Sequence, residues 1–182
     1  DRGEGIDFSN SLVGQNVDRG FVPSVEKGIN HVCADGVIAG CKVVDIKIDF
    51  YDGKMHPVDS NDMAFQIAGR HAFTEAIKHA KPKLLEPIYK IQVKIPDDVM
   101  GDIMGDISSR RGKVQGMDSD GNFQVINAEV PLANLHDYAT ALKSMSSGRG
   151  MFSNEFSHYE DMPHIEAEKV ISTWETARAA GE

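Results

Sequence analysis

Hydrophobic and polar positions change period several times along the chain, and each change marks an element. "GIDFSNSLVG" reads as a short strand leaving a loop. "VPSVEKGINHVCADG" places Val22, Val25, Ile29 and Val32 at helical spacing, with Pro23 in the first turn and Gly36 just past the end. In "CKVVDIKIDFYDG", Val44, Ile46, Ile48 and Phe50 alternate with Asp45, Lys47 and Asp49, as in a strand with one buried face. Asp52-Gly53 is a strong turn signal. "MHPVD" then continues extended, because Pro57 biases His56 away from helix. The stretch therefore reads as a hairpin end. Asp59 or Ser60 is placed to cap a long helix running to about Ala80. Met63, Ile67, Phe73 and Ile77 supply its apolar positions, and Ala64, Ala68, Ala72 and Ala76 form a flat stripe at i+4 spacing.

Pro82 and Pro87 bracket the best boundary in the chain, near Glu86. Beyond it the pattern restarts as a self-contained unit. "PIYKIQVKIP" alternates as a strand. "DDVMGDIMGDISSRRG" predicts a helix with Val99, Ile103 and Ile107 on one face, Met100 and Met104 beside it, and Gly112 stopping it. "KVQGMDSDGNFQVINAEVPL" predicts two strands, and "NLHDYATALKSMSSG" a helix with Leu135, Tyr138, Ala139 and Leu142 inward. "GRGMFSNEFSHYE" predicts a last strand. This order is βαββαβ, the ferredoxin-like arrangement. "PHIEAEKVISTWETARA" closes the chain as an amphipathic helix carrying Ile165, Val170, Ile171 and Trp174. The fold class is α+β, with two α/β-sandwich domains and a C-terminal helix.

Composition narrows the class. Of the 182 residues, 41% are hydrophobic and 26% charged, which fits a folded globular chain and not a disordered one. No apolar run approaches the roughly 20 residues of a membrane helix. Two cysteines, Cys33 and Cys41, make no disulfide framework, so a reducing cytosol is expected. The net charge of −9 argues against gripping nucleic acid through bulk charge. From Glu160 to Glu182, however, six acids face two bases, so the body is only mildly acidic and a local basic contact remains open.

Candidate chemistry is sparse. No G-x-x-x-x-G-K-[ST] occurs, so no GTP binding is expected of this chain, nor any enzymatic activity of its own. His56 stands alone near Asp52 and Asp59. A metal-dependent hydrolase built on these three is one alternative, but their spacing matches no standard ligand set, and helix-capping already accounts for acids there. "SSRRG" reads as a helix C-terminus that favours cations, or as a pair of phosphate-binding arginines. "SGRG" reads as a tight turn presenting Arg149. Lys78, Lys81 and Lys83 read as a solvated helix end. An RNA-recognition module shares the βαββαβ order, yet the third strand, "FQVINAEV", has one Phe and no RNP motif.

The motifs together resemble the C-terminal third of bacterial translation elongation factor G, the ribosomal translocase. The resemblance runs from about Gly5 to Tyr159. It rests on "VPSVEKGI", "AGCKVVDIKIDFYDG", "HPVDSNDMAF", "KPKLLEPI", "MGDIMGDISSRRG", "AEVPLANLHDYATALKSMSSGRG" and "FSHYE", in the same order and at the same spacing. It implies that residues 1–86 are the family's fourth domain, a partial ribosomal protein S5 second-domain fold lacking upstream strands and half of its tip. Residues 87–159 are then the ferredoxin-like fifth domain, and 160–182 a helix packing back on the fourth. The "GQNVD" stretch departs from the glycine-rich family pattern, which leaves open a specialised paralogue acting in ribosome recycling or under stress.

The implied partners are the ribosome, at its decoding centre and at the large-subunit rRNA of the factor-binding site, and tRNA. The residues implied in RNA contact are His56, Lys54, Arg110, Arg111 and Arg149. GTP and Mg belong to N-terminal domains of the parent GTPase. The implied setting is cytoplasmic, with no membrane partner and a monomeric chain.

Overall fold

A computed structural model describes residues 3–181. The chain divides into two compact units. One takes the residues up to Leu84 together with those from Pro163 onward; the other is Leu85–Met162.

The first unit is a βαβα arrangement. Strand β1 (Ile6–Asn10) pairs in parallel with β2 (Ile46–Phe50), Ile6 opposite Ile46 and Asn10 opposite Phe50. Helix α1 (Val22–Asp35) makes the crossover, and α2 (Asp62–His79) packs beside it. The core is built from Val25, Ile29, Val32 and Cys33 of α1 and Phe65, Phe73 and Ile77 of α2. The inward strand residues Ile6, Phe8, Ile46, Ile48 and Phe50 close over it. Helix α5 (His164–Ala180) belongs to this unit and half-buries Ile171 and Trp174.

Three sequence expectations change here. The second strand begins at Ile46, not Val44, because Asp45 adopts a left-handed backbone (φ 56) and accepts hydrogen bonds from the Gly3 and Gly5 amides. The apolar stripe of α2 is Phe65, Gly69, Phe73 and Ile77, while Met63 and Ile67 are exposed. The helix is rotated so that its two phenylalanines, with the larger areas to hide, face inward. The expected hairpin is absent among the described residues. β2 takes its partner from β1, and no strand separates Phe50 from α2.

The second unit is the four-stranded antiparallel sheet expected. Strand β3 (Leu85–Pro96) is followed by α3 (Met100–Ser109), β4 (Lys113–Asp120), β5 (Phe123–Pro131), α4 (Tyr138–Met145) and β6 (Met151–Asp161). The spatial order is β4-β5-β3-β6, the ferredoxin-like split βαβ. Ile91, Val93 and Ile95 of β3, Ile126, Ala128 and Val130 of β5, Ile103 and Ile107 of α3, and Tyr138 and Leu142 of α4 form the core. Ala139, expected inward, is exposed.

The break between the units falls between Leu84 and Leu85, slightly before the position the prolines signal. Leu85 and Glu86 already pair with Asp161 and Glu160. Pro87 is tolerated in β3 because β5 reaches only as far as Ile88, so at Pro87 the strand is bonded on one side.

Candidate functional site

His56 lies in the loop between β2 and α2. That loop is fastened to its own unit by a bond from the Met55 amide to the Asn16 carbonyl (3.1 Å). Asp52 caps its own turn by accepting from the Gly53 amide (2.8 Å). The helix cap is neither Asp59 nor Ser60. Asn61 takes extended backbone and accepts from the Ala64 amide at 2.9 Å. Asp62, in the first turn, accepts from the Ser24 hydroxyl at 2.8 Å and ties α2 to α1.

The two displaced candidates turn back to His56 instead. The His56 amide donates to Ser60 Oγ (2.7 Å), and the Ser60 amide donates to the His56 carbonyl (3.2 Å). Asp59 Oδ2 sits 3.1 Å from His56 Nδ1. The result is one closed turn through Pro57 with an imidazole standing out of it, 67% exposed. Lys54 is exposed two residues before. Among the described residues no three His, Cys, Asp or Glu side chains converge to hold a metal. Asp52 is occupied in its own turn, so His56, Asp52 and Asp59 give the hydrolase alternative no donor cluster to rest on.

The three arginines have a different setting. Arg110 Nε donates to Asp106 (2.7 Å), its Nη1 donates to the Asn134 carbonyl (2.9 Å), and its guanidinium lies over the Tyr138 ring. Arg111 forks onto Glu86, whose side chain is 5% exposed. Arg149 donates to Asp98 (2.7 Å) and to the Ser146 carbonyl (3.2 Å), and that pairing holds the Asp98 carboxyl below the usual aspartate range. Each arginine thus joins parts of the second unit that lie apart in sequence. The glycine after them acts differently from expected. Arg111 itself takes the left-handed position that ends α3 (φ 64), while Gly112 is held by contact, since a Cβ there would meet Ile107 Cγ2 at 2.5 Å.

The open face of the second sheet is polar. A shallow depression of about 530 Å³ is lined by Lys90, Gln92, Gln115, Asn127, Ser153 and Glu155, among others. Gln92 donates to Asn127 (3.1 Å), Asn127 to Asp118 (3.3 Å) and Gln115 to Glu129 (2.9 Å). Phe123, at the end of β5, lies under the Lys94 ammonium. Amide ladders and carboxylates offer no stack of rings for bases, which removes the RNA-recognition-module reading. Near the end of β6, His158 and Lys113 both reach Glu160 and hold its carboxyl below the usual glutamate range.

Comparison with known proteins agrees with this architecture. The family described as elongation factor G, domain IV, matches residues 1–81, and that described as elongation factor G C-terminus matches residues 83–170. A curated elongation factor G from Aquifex pyrophilus is 47% identical over 170 residues, which is 93% of this chain and 24% of that protein. A crystal structure from Thermus thermophilus superposes with a TM-score of 0.82 at 36% identity, covering 95% of this chain and 26% of that one. The chain therefore spans about a quarter of the length of the relatives it matches.

Proposed function

The chain belongs to the elongation factor G family, whose domain IV and C-terminus it carries, and we propose that it is the ribosome-contacting end of a translocase. Its work in this reading is mechanical. The first unit presents the His56 loop to the RNA of the decoding centre and the tRNA beside it. It fills the space that a moving tRNA vacates and blocks its return. The second unit anchors the factor against large-subunit rRNA. GTP and Mg are assigned to other domains of such a factor, since the chain has no phosphate-cradling loop in its sequence.

One observation carries the proposal: an exposed imidazole on a turn closed by its own backbone and by Ser60. A ring held in that way can stack on a base or exchange a hydrogen bond with a ribose or phosphate, and it loses little entropy on contact. No proton transfer is required. Lys54, close by and exposed, adds a charge for phosphate. Arg110, Arg111 and Arg149 are given a smaller part, because their guanidinium groups already join elements of the second unit.

The test is His56→Ala in a full-length factor bearing this sequence. Folding should be unchanged to within about 0.5 kcal/mol, as for other exposed sites. Ribosome-stimulated GTP hydrolysis should also persist, while tRNA–mRNA movement slows in a fast-kinetic assay. Equal loss of both activities would assign His56 to folding, and loss of neither would remove it from the interface.

A further inference from the structure

The turn that carries His56 has an aliphatic apex. Within His56–Ser60, Pro57 has no amide hydrogen to offer. The His56 amide donates to Ser60 Oγ (2.7 Å), the Ser60 amide to the His56 carbonyl (3.2 Å) and the Val58 amide to His56 Nδ1 (3.4 Å). Those amides are spent inside the turn and face away from any partner. Val58, the middle residue, is 84% exposed.

A single exposed valine is ordinary on a protein surface. Two observations set this one apart. First, it belongs to neither core, and the turn closes without its side chain. Second, it is not alone. The bond from the Met55 amide to the Asn16 carbonyl joins its loop to the loop between β1 and α1, where Val13 is 85% exposed, and Met55 itself is 42% exposed. Exposed aliphatic side chains therefore gather in two loops that are fastened together.

We propose that Pro57 and Val58 form a nose that makes no hydrogen bonds and meets the ribose side of an RNA strand by shape alone. This rests on the RNA-contact reading of the loop and adds the mode of contact. An aliphatic group cannot read the donors and acceptors that tell bases apart. The C–H surface of a ribose repeats at every nucleotide, and apolar side chains are a recurring means of wedging against nucleic acid without reading it. The spent amides serve the same end, because a free N–H at the apex would favour whichever base presented an acceptor. His56 and Lys54 supply the polar contacts beside the nose. Such a contact has the same strength for every base sequence, as a factor that moves every tRNA requires.

The test is Val58→Ala in a full-length factor bearing this sequence. It should slow tRNA–mRNA movement about three- to tenfold, as for two methyl groups partly buried at a contact. Val58→Ile, which keeps the apolar surface, should stay within about twofold of the unaltered factor. Val58→Thr, close in shape but with a hydroxyl for one methyl, should be slowed like Val58→Ala. The slowing should be equal over tRNA–codon pairs of different base sequence. In the 182-residue chain all three variants should keep the urea midpoint, as exposed substitutions do. An unaltered rate for Val58→Ala, a Val58→Thr factor as fast as the unaltered one, slowing that depends on the codon, or a fallen midpoint would each overturn the proposal. His56→Ala separates this from the reading beneath it. If that variant slows movement and Val58→Ala does not, the RNA contact stands and the nose is refuted. If neither slows it, both fail. If Val58→Ala alone slows it, the contact rests on the nose and His56 has no part in it.

Discussion

Arg111 shows what a single residue can be asked to do. It ends α3 in the left-handed region, where a side chain costs roughly 1 kcal/mol relative to glycine. The strain is offset by its fork onto Glu86, a carboxylate almost wholly removed from water. Arg111→Gly would relieve the backbone and orphan the carboxylate. Leaving a buried charge unpaired costs several kcal/mol; with Arg111 about a third exposed (34%) that penalty is reduced by water. A net loss of about 1–3 kcal/mol is expected, read as a lower urea midpoint with an unchanged slope. A neutral or stabilising result would mean the arginine serves only an external partner. The sequence shows Arg111 at a helix end but cannot show Glu86 beneath it, because the two are joined by folding and not by spacing. His56 is the opposite case. Its exposure follows from a local turn and a following helix, so it is legible. Its contact with Asp59 is not, since nearby acids read equally well as caps.

At the scale of elements, two glycines of similar appearance should respond with opposite sign. Gly28 lies where α1 crosses α2, and a Cβ there would stand 2.1 Å from the Gln66 carbonyl oxygen. The opposing atom belongs to the backbone, so the helices must separate. Gly28→Ala should cost about 1–3 kcal/mol, the range for overpacking. Gly101, exposed in α3, has nothing within 4 Å of such a Cβ. Gly101→Ala should stabilise by a part of the roughly 0.5–1 kcal/mol propensity difference of a helix interior, because Gly101 stands in the first turn of α3. Thermal melts of both variants check the pair, and a common sign would refute the close-crossing account. Period marked the elements that bury one face, whereas β4, exposed at every position, has no buried face to signal it. The same period misplaced the inward face of α2, where Met63 with Ile67 and Phe65 with Gly69, Phe73 and Ile77 lie on two different i+4 series and only packing against α1 decides. It also offered a hairpin after β2, because Asp-Gly signals a turn without saying which strand, if any, comes next.

For the whole molecule, the two cores share no residue. The second unit begins and ends on neighbouring strands, Leu85 opposite Asp161, so a chain of residues 85–162 closes its own sheet. Expressed alone, it should unfold cooperatively in urea, with a slope of about 1 kcal/mol/M as suits a small domain. A broad, probe-dependent transition would show that its core needs the rest of the chain. Its acid response follows in part from Glu160, whose folded carboxyl is held below the ordinary glutamate value by His158 and Lys113, and in part from Asp98, held down by Arg149. A depressed folded value contributes stability above the unfolded value, and that contribution is lost as pH falls through the folded one. The urea midpoint of 85–162 should therefore drop on acidification from just above the glutamate range to below it. Lys113→Met, which removes one of the two donors, should make that drop smaller. Because β6 closes the sheet through this same end of β3, a midpoint independent of pH across that window would mean the ladder there is held by its backbone bonds alone.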